Sequence, residues 1–410
     1  MNNLAPELWV VSELYYPEET STGYFVTGIA EGLAATFRTA VLCSRPTYGA
    51  RHLAAPSRER KGGVDIIRCW STRLDPHRLV PRAMNLATIT ISVFATLCCV
   101  LRRGQVVIVV TNPPTLPFVA AAACRLRGAK CVLLVHDVYP EVLAAVGLMK
   151  PSSFLFRALT VASGVLYRGV ERVVVLGRDM QRVALGRLRD AADHTALIPN
   201  WGDIEFVHPW LGANPLREQL GLAGTFIVQY SGNIGRTHDL ASILDAADTL
   251  REDASLHFLI IGWGARRAEV GAAIRARNLR NVTLHPPVPR AELPAALGAA
   301  DVAVVALLPG MTGLSVPSRM YNILAAGKPV IAIAERDSEV GLLVEEERIG
   351  WVVNPSDAGA LVAAIGEARR DPKRLAEMGA RARRSAEARY SRPHIIDAWT
   401  TLIEDVRNGS

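Results

Sequence analysis

The amino-acid sequence predicts an α/β protein with two domains, each built on a doubly wound parallel sheet. The chain has 410 residues, a length that suits two domains of ordinary size. Short apolar runs alternate with longer segments of helical pattern, which is typical of parallel strands buried on both faces and joined by crossover helices. This alternation occurs twice, once on either side of residues 200–209, and the two series predict the two domains.

The first series begins close to the N-terminus. Its strands are predicted at Leu8–Ser12, Thr39–Cys43, Val64–Cys69, Gln105–Val110, Lys130–His136, Arg172–Leu176 and Ala196–Ile198. Its helices are predicted at Tyr24–Ala35, Ala83–Leu101 and Leu116–Leu126. The strand that ends at Val110 is followed by Asn112, Pro113 and Pro114. Neither a helix nor a central strand tolerates that sequence, so a loop is expected there.

The second series begins near Thr225. Its strands are predicted at Phe226–Tyr230, Leu256–Ile261, Asn281–Leu284, Asp301–Ala306 and Pro329–Ala332. Its helices are predicted at Leu240–Leu250, Ala268–Ala276, Arg290–Gly298 and Arg319–Ala326. A helical stretch then runs from Ala358 to Val406 with a break near Tyr390–Pro393. These patterns predict domains at 1–203 and 204–385, and a helical segment at 386–410 that packs back on the first domain.

The charge balance is mildly basic, with 46 Lys and Arg against 39 Asp and Glu and a net charge of +7. A nucleic-acid-binding protein usually clusters its basic residues on one element with aromatic residues between them. Here the arginines are scattered and only 6% of the residues are aromatic, so no nucleic-acid partner is expected. Phosphorylated small substrates or a negative lipid surface fit this charge better. The six cysteines form no C-x-x-C pair, which favours free thiols over a zinc site.

The segment Ala83–Leu101 contains no charged residue and is followed by Arg102 and Arg103. Its length suits a membrane span, but several Ser, Thr and Asn residues interrupt it. Three interpretations remain open: a buried or amphipathic helix, a helix that lies on a membrane surface, and a true span.

Ligands of open α/β sheets bind beyond the carboxyl ends of the strands, so the residues that follow each strand are the candidates for chemistry. The loop 230–239 follows a predicted strand and precedes a helix. Its glycines, Gly232 and Gly235, let backbone amides approach an anion, and Asn233 and Arg236 add polar groups suited to a phosphate. The alternative is an ordinary glycine turn.

Two further loops of the second series have similar character. Gly262 and Gly264 form a G-x-G turn after a strand, but the third glycine and the acidic residue of the dinucleotide fingerprint are missing. An NAD or FAD domain, and with it a dehydrogenase, is therefore disfavoured.

The loop 310–319 places Ser315, Ser318 and Arg319 before a helix, where they suit a diphosphate or a simple helix cap.

In the first series, Thr22 and Gly23 follow the first strand and precede a helix, where they could hold a phosphate or an acceptor headgroup. His136 and Asp137, with Glu141 shortly after them, end a strand of almost wholly apolar residues. A histidine and two acids at one strand end are not typical of a core. A structural histidine with satisfied hydrogen bonds is the alternative.

Together these motifs resemble the retaining glycosyltransferases of family 4, and the resemblance runs over nearly the whole chain. The segments that carry it are the Tyr-Pro-Glu loop 16–18, Thr111–Pro114, His136–Glu141, Ile198–Trp201, Tyr230–Gly235, and Val316–Tyr321 with the Ala-Ala-Gly-Lys-Pro-Val sequence after it. The nearest subgroup comprises the WbuB-like and WcaI-like enzymes of bacterial surface-polysaccharide assembly. The resemblance implies the GT-B fold, in which two Rossmann-like domains face each other across a cleft.

The resemblance also implies roles for residues of this sequence. The second domain would bind a nucleotide-sugar donor and the first an acceptor. The implied catalytic residues are His136, which would contact the transferred sugar, Asp137, Arg236 and Arg319. The implied donor-binding residues are Gly232, Asn233, Gly235, Gly262, Gly264, Val288, Thr312, Gly313, Leu314, Ser315, Ser318 and Asn322. The implied acceptor-binding or phosphate-loop residues are Thr22, Gly23 and Glu141.

The sequence departs from the family pattern at two places. The family usually has two glutamates spaced E-x7-E that contact the donor sugar and ribose, and here Leu314 and Asn322 stand at those positions. Asn322 can still bond a ribose hydroxyl, whereas Leu314 cannot. After the glycine turn, Asn233 stands at the usual Arg position and His238 at the usual Lys position, so Arg236 is expected to compensate.

The expected reaction is the transfer of a hexosyl-type sugar from a nucleoside diphosphate sugar, with retention of configuration and without a metal or other cofactor. The expected acceptor is a polyprenyl-diphosphate-linked saccharide, which would place the protein in the cytoplasm, peripherally on the inner face of the membrane. Two alternatives remain, a sugar-nucleotide epimerase of the same fold and a non-catalytic subunit that binds a nucleotide sugar. The missing glutamates motivate the second of them.

Overall fold

The computed structural model describes residues 5–46, 55–72, 74, 79–189 and 191–409. These residues form two compact units. Unit 1 takes in the described residues of Met1–Val142, Met149–Pro199 and Ile395–Ser410, and unit 2 consists of Leu143–Leu148 and Asn200–His394. The chain thus returns to unit 1 with its last helix.

The sheet of unit 1 is parallel except for one edge strand. Its strands are β1 (Leu8–Val11), β2 (Thr39–Ser44), β3 (Arg58–Lys61), β4 (Val64–Cys69), β5 (Val106–Val110), β6 (Lys130–Val135), β7 (Arg172–Val175) and β8 (Thr195–Leu197). The order across the sheet is β3-β4-β2-β1-β5-β6-β7-β8, and β3 alone runs antiparallel to its neighbour. Every residue of β5 is buried, as expected for a central strand that is covered on both faces.

The helices along the first half of the chain are α1 (Ser21–Leu33), α2 (Leu79–Val100), α3 (Leu116–Arg127), α4 (Glu141–Ala145), α5 (Phe154–Arg168) and α6 (Arg178–Leu188). Helix α1 begins earlier than the predicted Tyr24, because the Thr20 side chain accepts a hydrogen bond from the Gly23 amide at 3.2 Å and caps it. The predicted strands of this half are confirmed to within about one residue at their ends. The edge strand β3 and helices α4, α5 and α6 were not predicted.

The sheet of unit 2 is wholly parallel. Its strands are β9 (Phe226–Ser231), β10 (Leu256–Ile261), β11 (Val282–His285), β12 (Val302–Ala306), β13 (Val330–Ile333) and β14 (Gly350–Val353). They lie in the order β11-β10-β9-β12-β13-β14. Their inward side chains, among them Phe258 and Val304, pack with those of the surrounding helices into a buried apolar core. All five strands predicted for this half are confirmed, and β14 was missed.

The helices of unit 2 are α7 (Pro215–Gln219), α8 (Leu240–Thr249), α9 (Arg267–Ala276), α10 (Leu293–Gly298), α11 (Arg319–Ala325), α12 (Glu339–Glu346), α13 (Ala358–Arg370) and α14 (Pro372–Arg389). The prediction of one unbroken helical stretch up to Tyr390 was wrong. The chain breaks at Asp371, whose side chain accepts from the Arg374 amide at 2.9 Å. Pro372 occupies the first turn of α14, where its missing N–H costs nothing.

The last helix, α15 (Arg392–Asn408), packs on unit 1. Ile396 lies so close to Gly32 of α1 that a Cβ on that glycine would stand 2.6 Å from it. At the other end, the Lys130 ammonium donates to the Val406 carbonyl at 2.6 Å. The end of the chain therefore packs against α1 and against the first residue of β6.

Helix α2 contains the uncharged segment Ala83–Leu101 apart from its last residue. Among the described residues, Val80–Val100 is the one helix that is long and apolar enough to cross a membrane by length and composition. Its side chains Ile89, Val93 and Leu97 are fully buried in unit 1. In the structure it is therefore an amphipathic helix packed on a sheet, with its other side exposed.

Candidate functional site

The sheet of unit 2 has a topological switch point between β9 and β12. From β9 the chain connects to β10 on one side of the sheet, whereas the later strands β12 and β13 lie on the other side. Such a point leaves a crevice at the carboxyl ends of the two strands, where ligands of α/β proteins bind. The loops 232–239 and 307–318 leave the sheet at this place.

Arg319 is the central side chain of this crevice. Its Nη2 donates to His238 Nε2 at 2.8 Å and to the Asn233 carbonyl at 3.2 Å. Its Cζ lies 4.5 Å from the ring centroid of Tyr230, a cation–π contact. Its Nη1 is buried and has no hydrogen-bond partner among the described residues. A buried guanidinium nitrogen with no acceptor is costly unless a ligand supplies one.

His238 holds Arg319 as a neutral ring. Burial, and secondly the positive charge of Arg319, lower the pKa of His238 well below its ordinary value, although a hydrogen bond with the Gly235 backbone opposes them. The neutral imidazole offers a lone pair to Arg319 instead of a second positive charge. His238 therefore cannot act as the charged lysine of the family pattern, and it orients the arginine instead.

Three glycines let the loops after β9 and β10 lie against each other. The Gly232 amide donates to the Ile261 carbonyl at 2.9 Å, and the Ile234 amide donates to the Trp263 carbonyl at 2.8 Å. A Cβ on Gly262 would lie 1.9 Å from the Gly232 carbonyl oxygen, and one on Gly264 would lie 2.3 Å from the Ile234 carbonyl oxygen. Only glycine fits at these positions.

Glu335, which sequence analysis missed, organises the loop after β12. Its carboxylate accepts from the Gly310 amide at 2.7 Å, from the Thr312 amide at 3.3 Å and from the Thr312 hydroxyl. Glu335 follows β13, the neighbouring strand, so its place beyond a strand end was the signal available in the sequence. The Thr312 hydroxyl predicted to bind donor is thus already engaged with a carboxylate.

Asn322 has a structural partner in this unit. Its side-chain oxygen accepts from the Asp203 amide at 3.0 Å, so Asn322 fixes the segment that leads into unit 2. Asp203 in turn accepts from Arg290 at 2.5 Å. The predicted ribose contact would have to use the amide nitrogen of Asn322. Leu314, at the other glutamate position, is buried.

The remaining predicted donor-binding residues and the predicted catalytic residue Arg236 differ in exposure. Asn233 and Arg236 are exposed, Gly235 and Gly313 are buried, and Val288, Ser315 and Ser318 are half-buried. Val288 packs against an apolar cluster of the unit. Ser318 precedes α11, and its side chain does not cap that helix.

The sheet of unit 1 has its own switch point, between β1 and β5. The Thr111 hydroxyl, just beyond β5, accepts from the His136 amide at 3.0 Å and from the Asp137 amide at 3.3 Å. His136 Nδ1 lies 3.5 Å from the Thr22 hydroxyl, and its Nε2 is buried with no partner among the described residues. Thr22, Thr111 and His136 are thus brought together, with one ring nitrogen left for a ligand.

Burial sets the protonation of both titratable groups here. It lowers the pKa of His136 to about 4 and raises the pKa of Asp137 to about 6. At neutral pH the histidine is therefore uncharged and the carboxyl group is largely ionised in an unfavourable setting. A neutral imidazole nitrogen can accept or donate one hydrogen bond to a substrate hydroxyl.

The Asp137→Asn variant is expected to be more stable than the parent chain at pH 7. A pKa raised from 3.8 to about 6 means that stability is lost as pH rises through this window, by up to about 3 kcal/mol above it. The difference in free energy of unfolding between the variant and the parent chain should therefore vanish near pH 4. Urea unfolding of both proteins between pH 4 and 7 measures it, and a pH-independent loss of stability in the variant would contradict it.

The other predicted residues of this half have structural partners. Gly23 is buried, and a Cβ there would lie 2.5 Å from the Glu18 carbonyl oxygen. Glu141 forms an ion pair with Arg187 of α6, and Arg187 also donates to the Tyr139 carbonyl at 3.0 Å. Glu141 therefore holds the segment after β6 to α6. Within the described ranges, no group of three or more His, Cys, Asp or Glu is arranged to hold a metal ion.

Comparison with known families finds a match in each half of the chain. Residues 22–201 match the family described as glycosyl transferase 4-like domain. Residues 214–385 match the family described as glycosyl transferases group 1. The first range contains the Thr22 and His136 cluster, and the second contains the Arg319 crevice.

Two bacterial proteins are similar over most of their length. The glycosyltransferase WbjE of Pseudomonas aeruginosa is 31% identical over 363 residues, which cover 88% of this chain and 88% of that protein. The colanic acid biosynthesis glycosyl transferase WcaI of Escherichia coli is 31% identical over 376 residues, which cover 88% of this chain and 91% of that protein.

Solved structures share the fold at lower identity. Sucrose-phosphate synthase from Thermosynechococcus elongatus superposes with a TM-score of 0.78 at 19% identity, over 98% of this chain and 99% of that one. HepE of Anabaena, solved in complex with UDP-glucose, superposes with a TM-score of 0.72 at 16% identity, over 97% of this chain and 100% of that one. The predicted GT-B fold is confirmed by these structures.

Proposed function

We propose a donor and an acceptor for this chain, which belongs to the glycosyltransferases of group 1 with a glycosyl transferase 4-like domain. The donor is a nucleoside diphosphate sugar, bound in the crevice of unit 2. The single observation that carries this proposal is Arg319, whose buried Nη1 lacks an acceptor beside a neutral His238. A diphosphate supplies the acceptor and the negative charge that this guanidinium lacks.

The backbone around Arg319 supports an anionic ligand in the same way. Gly232 lies at the carboxyl end of β9, where the lack of a side chain lets a phosphate approach the main chain closely. Asn233 and Arg236 are exposed on that loop and are available to the outer phosphate oxygens. The HepE complex with UDP-glucose makes a uridine nucleotide the first donor to test.

The reaction proceeds with retention of configuration. The bond between the anomeric carbon and the leaving phosphate oxygen breaks while the acceptor oxygen bonds to the same face of that carbon. The acceptor proton passes to the leaving phosphate oxygen. Negative charge grows on the diphosphate during this step, and a preorganised guanidinium stabilises it without reorientation. Arg319, held in place by His238 and the Asn233 carbonyl, performs that role.

In unit 1, His136 binds a substrate hydroxyl through Nε2, and Thr22 lies on the other side of its ring. Because its pKa is about 4, the imidazole stays neutral throughout the physiological range and acts by hydrogen bonding. Asp137 follows it on the same strand end.

The acceptor is a polyprenyl-diphosphate-linked saccharide at the inner face of the cytoplasmic membrane. It belongs to the assembly of a bacterial surface polysaccharide, such as the colanic acid in the name of WcaI.

A second candidate is a non-catalytic subunit that binds a nucleotide sugar. It is favoured by the buried Leu314 and by the engagement of Asn322 with Asp203, since these are the two positions where the family usually has glutamates. Such a subunit would bind the donor but release no nucleoside diphosphate. An epimerase would change the sugar of the donor without transferring it. Analysis of a radiolabelled donor after incubation with membrane-extracted acceptor lipid separates the three.

The donor site is tested first by thermal unfolding with a panel of nucleoside diphosphates, namely UDP, GDP, ADP and dTDP. One of them at millimolar concentration is expected to raise the Tm, because a ligand that binds only the folded state stabilises it by about 2.7 kcal/mol at one hundred times its dissociation constant. The nucleoside that gives the shift identifies the base of the donor. No shift with any of the four would contradict the donor site in unit 2.

A further inference from the structure

Three neighbouring helices of unit 1 form one outer layer over the sheet. Helix α2 connects β4 to β5, α3 connects β5 to β6, and α5 lies between β6 and β7, so the chain steps in one direction across the sheet. Right-handed crossovers in one direction place their helices on the same face. Helix α2 packs on α3, and α3 packs on α5. Thr90 of α2 also hydrogen-bonds to Thr115, which precedes α3, at 2.7 Å.

Helix α5 presents an apolar stripe to the outside. Phe154, Ala158, Val161 and Val165 are all exposed, and their spacing of four, three and four residues places them on one side of a helix. Phe154 is 87% exposed and Val161 66%. The opposite side of the helix, with Tyr167, is buried.

Helices α2 and α3 repeat this arrangement. On α2, Val80 and Ile91 are 71% and 67% exposed, and only 17% of the most apolar window of this helix is buried. On α3, Leu126 is 69% exposed. We call this set the outer helical face, and its members are Val80, Met84, Ile91, Phe118, Leu126, Phe154, Leu155, Val161 and Val165.

The charged residues of the segments that hold these three helices have one sign. Residues 79–135 and 142–170 contain no Asp or Glu. Exposed basic side chains stand near the ends of the three helices, at Arg102, Arg125, Arg127, Lys150, Arg157 and Arg168. By contrast, α14 mixes the two signs, with Glu377 and Glu387 among its arginines. A broad apolar surface with basic residues at the helix ends complements a negatively charged lipid surface.

We propose that the outer helical face docks on the surface of an anionic lipid bilayer. Its apolar side chains enter the boundary between headgroups and acyl chains, and the basic residues at the helix ends contact the lipid phosphates. Helix α2 lies on the bilayer and does not cross it, since Ile89, Val93 and Leu97 on its other side belong to the core of unit 1.

A second copy of the chain fits this surface poorly. A symmetric dimer through the outer helical face would set basic helix ends against basic helix ends, because a two-fold interface pairs a patch with itself. The proposal rests on the proposed function only because docking would bring the protein to a lipid-linked acceptor. Docking itself requires neither donor nor acceptor.

The test is co-sedimentation of the full chain with vesicles of phosphatidylcholine alone or with added phosphatidylglycerol. The parent chain is expected to bind the mixed vesicles and to lose binding as salt is raised, because the basic residues act through screened charge. The double variant Ile91→Glu/Val161→Glu is expected to bind at least tenfold more weakly. Phe154→Ser, a milder change at the start of α5, should reduce binding in the same direction.

Leu211→Glu is the matched control, since Leu211 is 89% exposed and belongs to unit 2, whereas the outer helical face belongs to unit 1. It should bind vesicles like the parent chain. Absence of vesicle binding by the parent chain, or equal binding by all variants, would overturn the proposal. The proposal would also be overturned if the parent chain forms a dimer in solution that the double variant abolishes and does not bind vesicles. Because nucleotide-induced stabilisation is read separately, its failure would remove the proposed donor while leaving the docking result intact.

Discussion

Replacing Arg319 by glutamine is expected to weaken nucleoside diphosphate binding and sugar transfer by about 100-fold or more, the usual cost of removing one preorganised charged donor from an anionic transition state. The variant retains a polar side chain but loses the charge and the fork of N–H groups. Calorimetric titration with the nucleotide identified from the panel measures the affinity, and release of the nucleoside diphosphate from the sugar donor measures the rate.

The same substitution should leave the Tm of the unliganded protein unchanged or raise it. Among the residues that the structure describes, the contacts of Arg319 are a neutral histidine, a carbonyl oxygen and a tyrosine ring, without a carboxylate. A partly buried charge without a counter-ion destabilises the folded state, so its removal relieves a cost. An arginine with a merely structural role would instead lower the Tm when replaced, and that result would contradict the assignment.

Two companion variants sharpen the interpretation. Arg319→Lys preserves the charge but cannot present the fork to two oxygens, so it should fall between the parent chain and Arg319→Gln. Arg369→Gln is the matched control, because Arg369 binds Asp253 and Ser255 elsewhere in unit 2. Its nucleotide affinity should equal that of the parent chain. If both glutamine variants lose affinity alike, the effect is not specific to the crevice.

The strands of both sheets could be predicted because central parallel strands are covered on both faces and leave uninterrupted apolar runs in the sequence. That signal is lost at the edge of a sheet. Strand β3, with the sequence Arg-Glu-Arg-Lys, is mostly exposed, and β4 is its one partner among the described strands. Nothing in its hydropathy therefore distinguishes it from a loop. Helix α5 was missed for the opposite reason, since its exposed side is apolar and masks the expected periodicity.

The loops that form the crevice around Arg319 could also be predicted, because glycines and polar residues after a strand indicate a strand-end loop. The contacts inside this crevice could not be predicted from the sequence. The hydrogen bond between Arg319 and His238 joins residues 81 positions apart, and the one between Asn322 and Asp203 joins residues 119 apart. The family resemblance implies that His238 replaces a lysine, whereas the packed structure makes it a neutral partner for an arginine.

Replacing Gly262 by alanine is expected to destabilise unit 2 by about 3 kcal/mol or more, through a clash added to backbone strain. The φ of Gly262 is 148°, a conformation that L residues rarely adopt. The added Cβ would lie 1.9 Å from the Gly232 carbonyl oxygen, and a backbone atom cannot move away without moving the loop. Urea unfolding of the parent chain and the variant measures the loss.

The clash and the strain can be separated with a second glycine of this unit. Gly224 has a φ of 78° and no atom within 4 Å of where its Cβ would lie, so Gly224→Ala should cost only about 1 kcal/mol from strain alone. The clash at Gly262 is also expected to displace Gly232, which lies close to Arg319. A Cβ on Gly232 would stand 3.0 Å from Arg319 Cζ. Gly262→Ala should therefore lower nucleotide affinity where it still folds, whereas Gly224→Ala should not. Equal losses of stability in the two variants would show that the loops after β9 and β10 can separate. The close approach of Gly232 and Gly262 would then not be what shapes the crevice around Arg319.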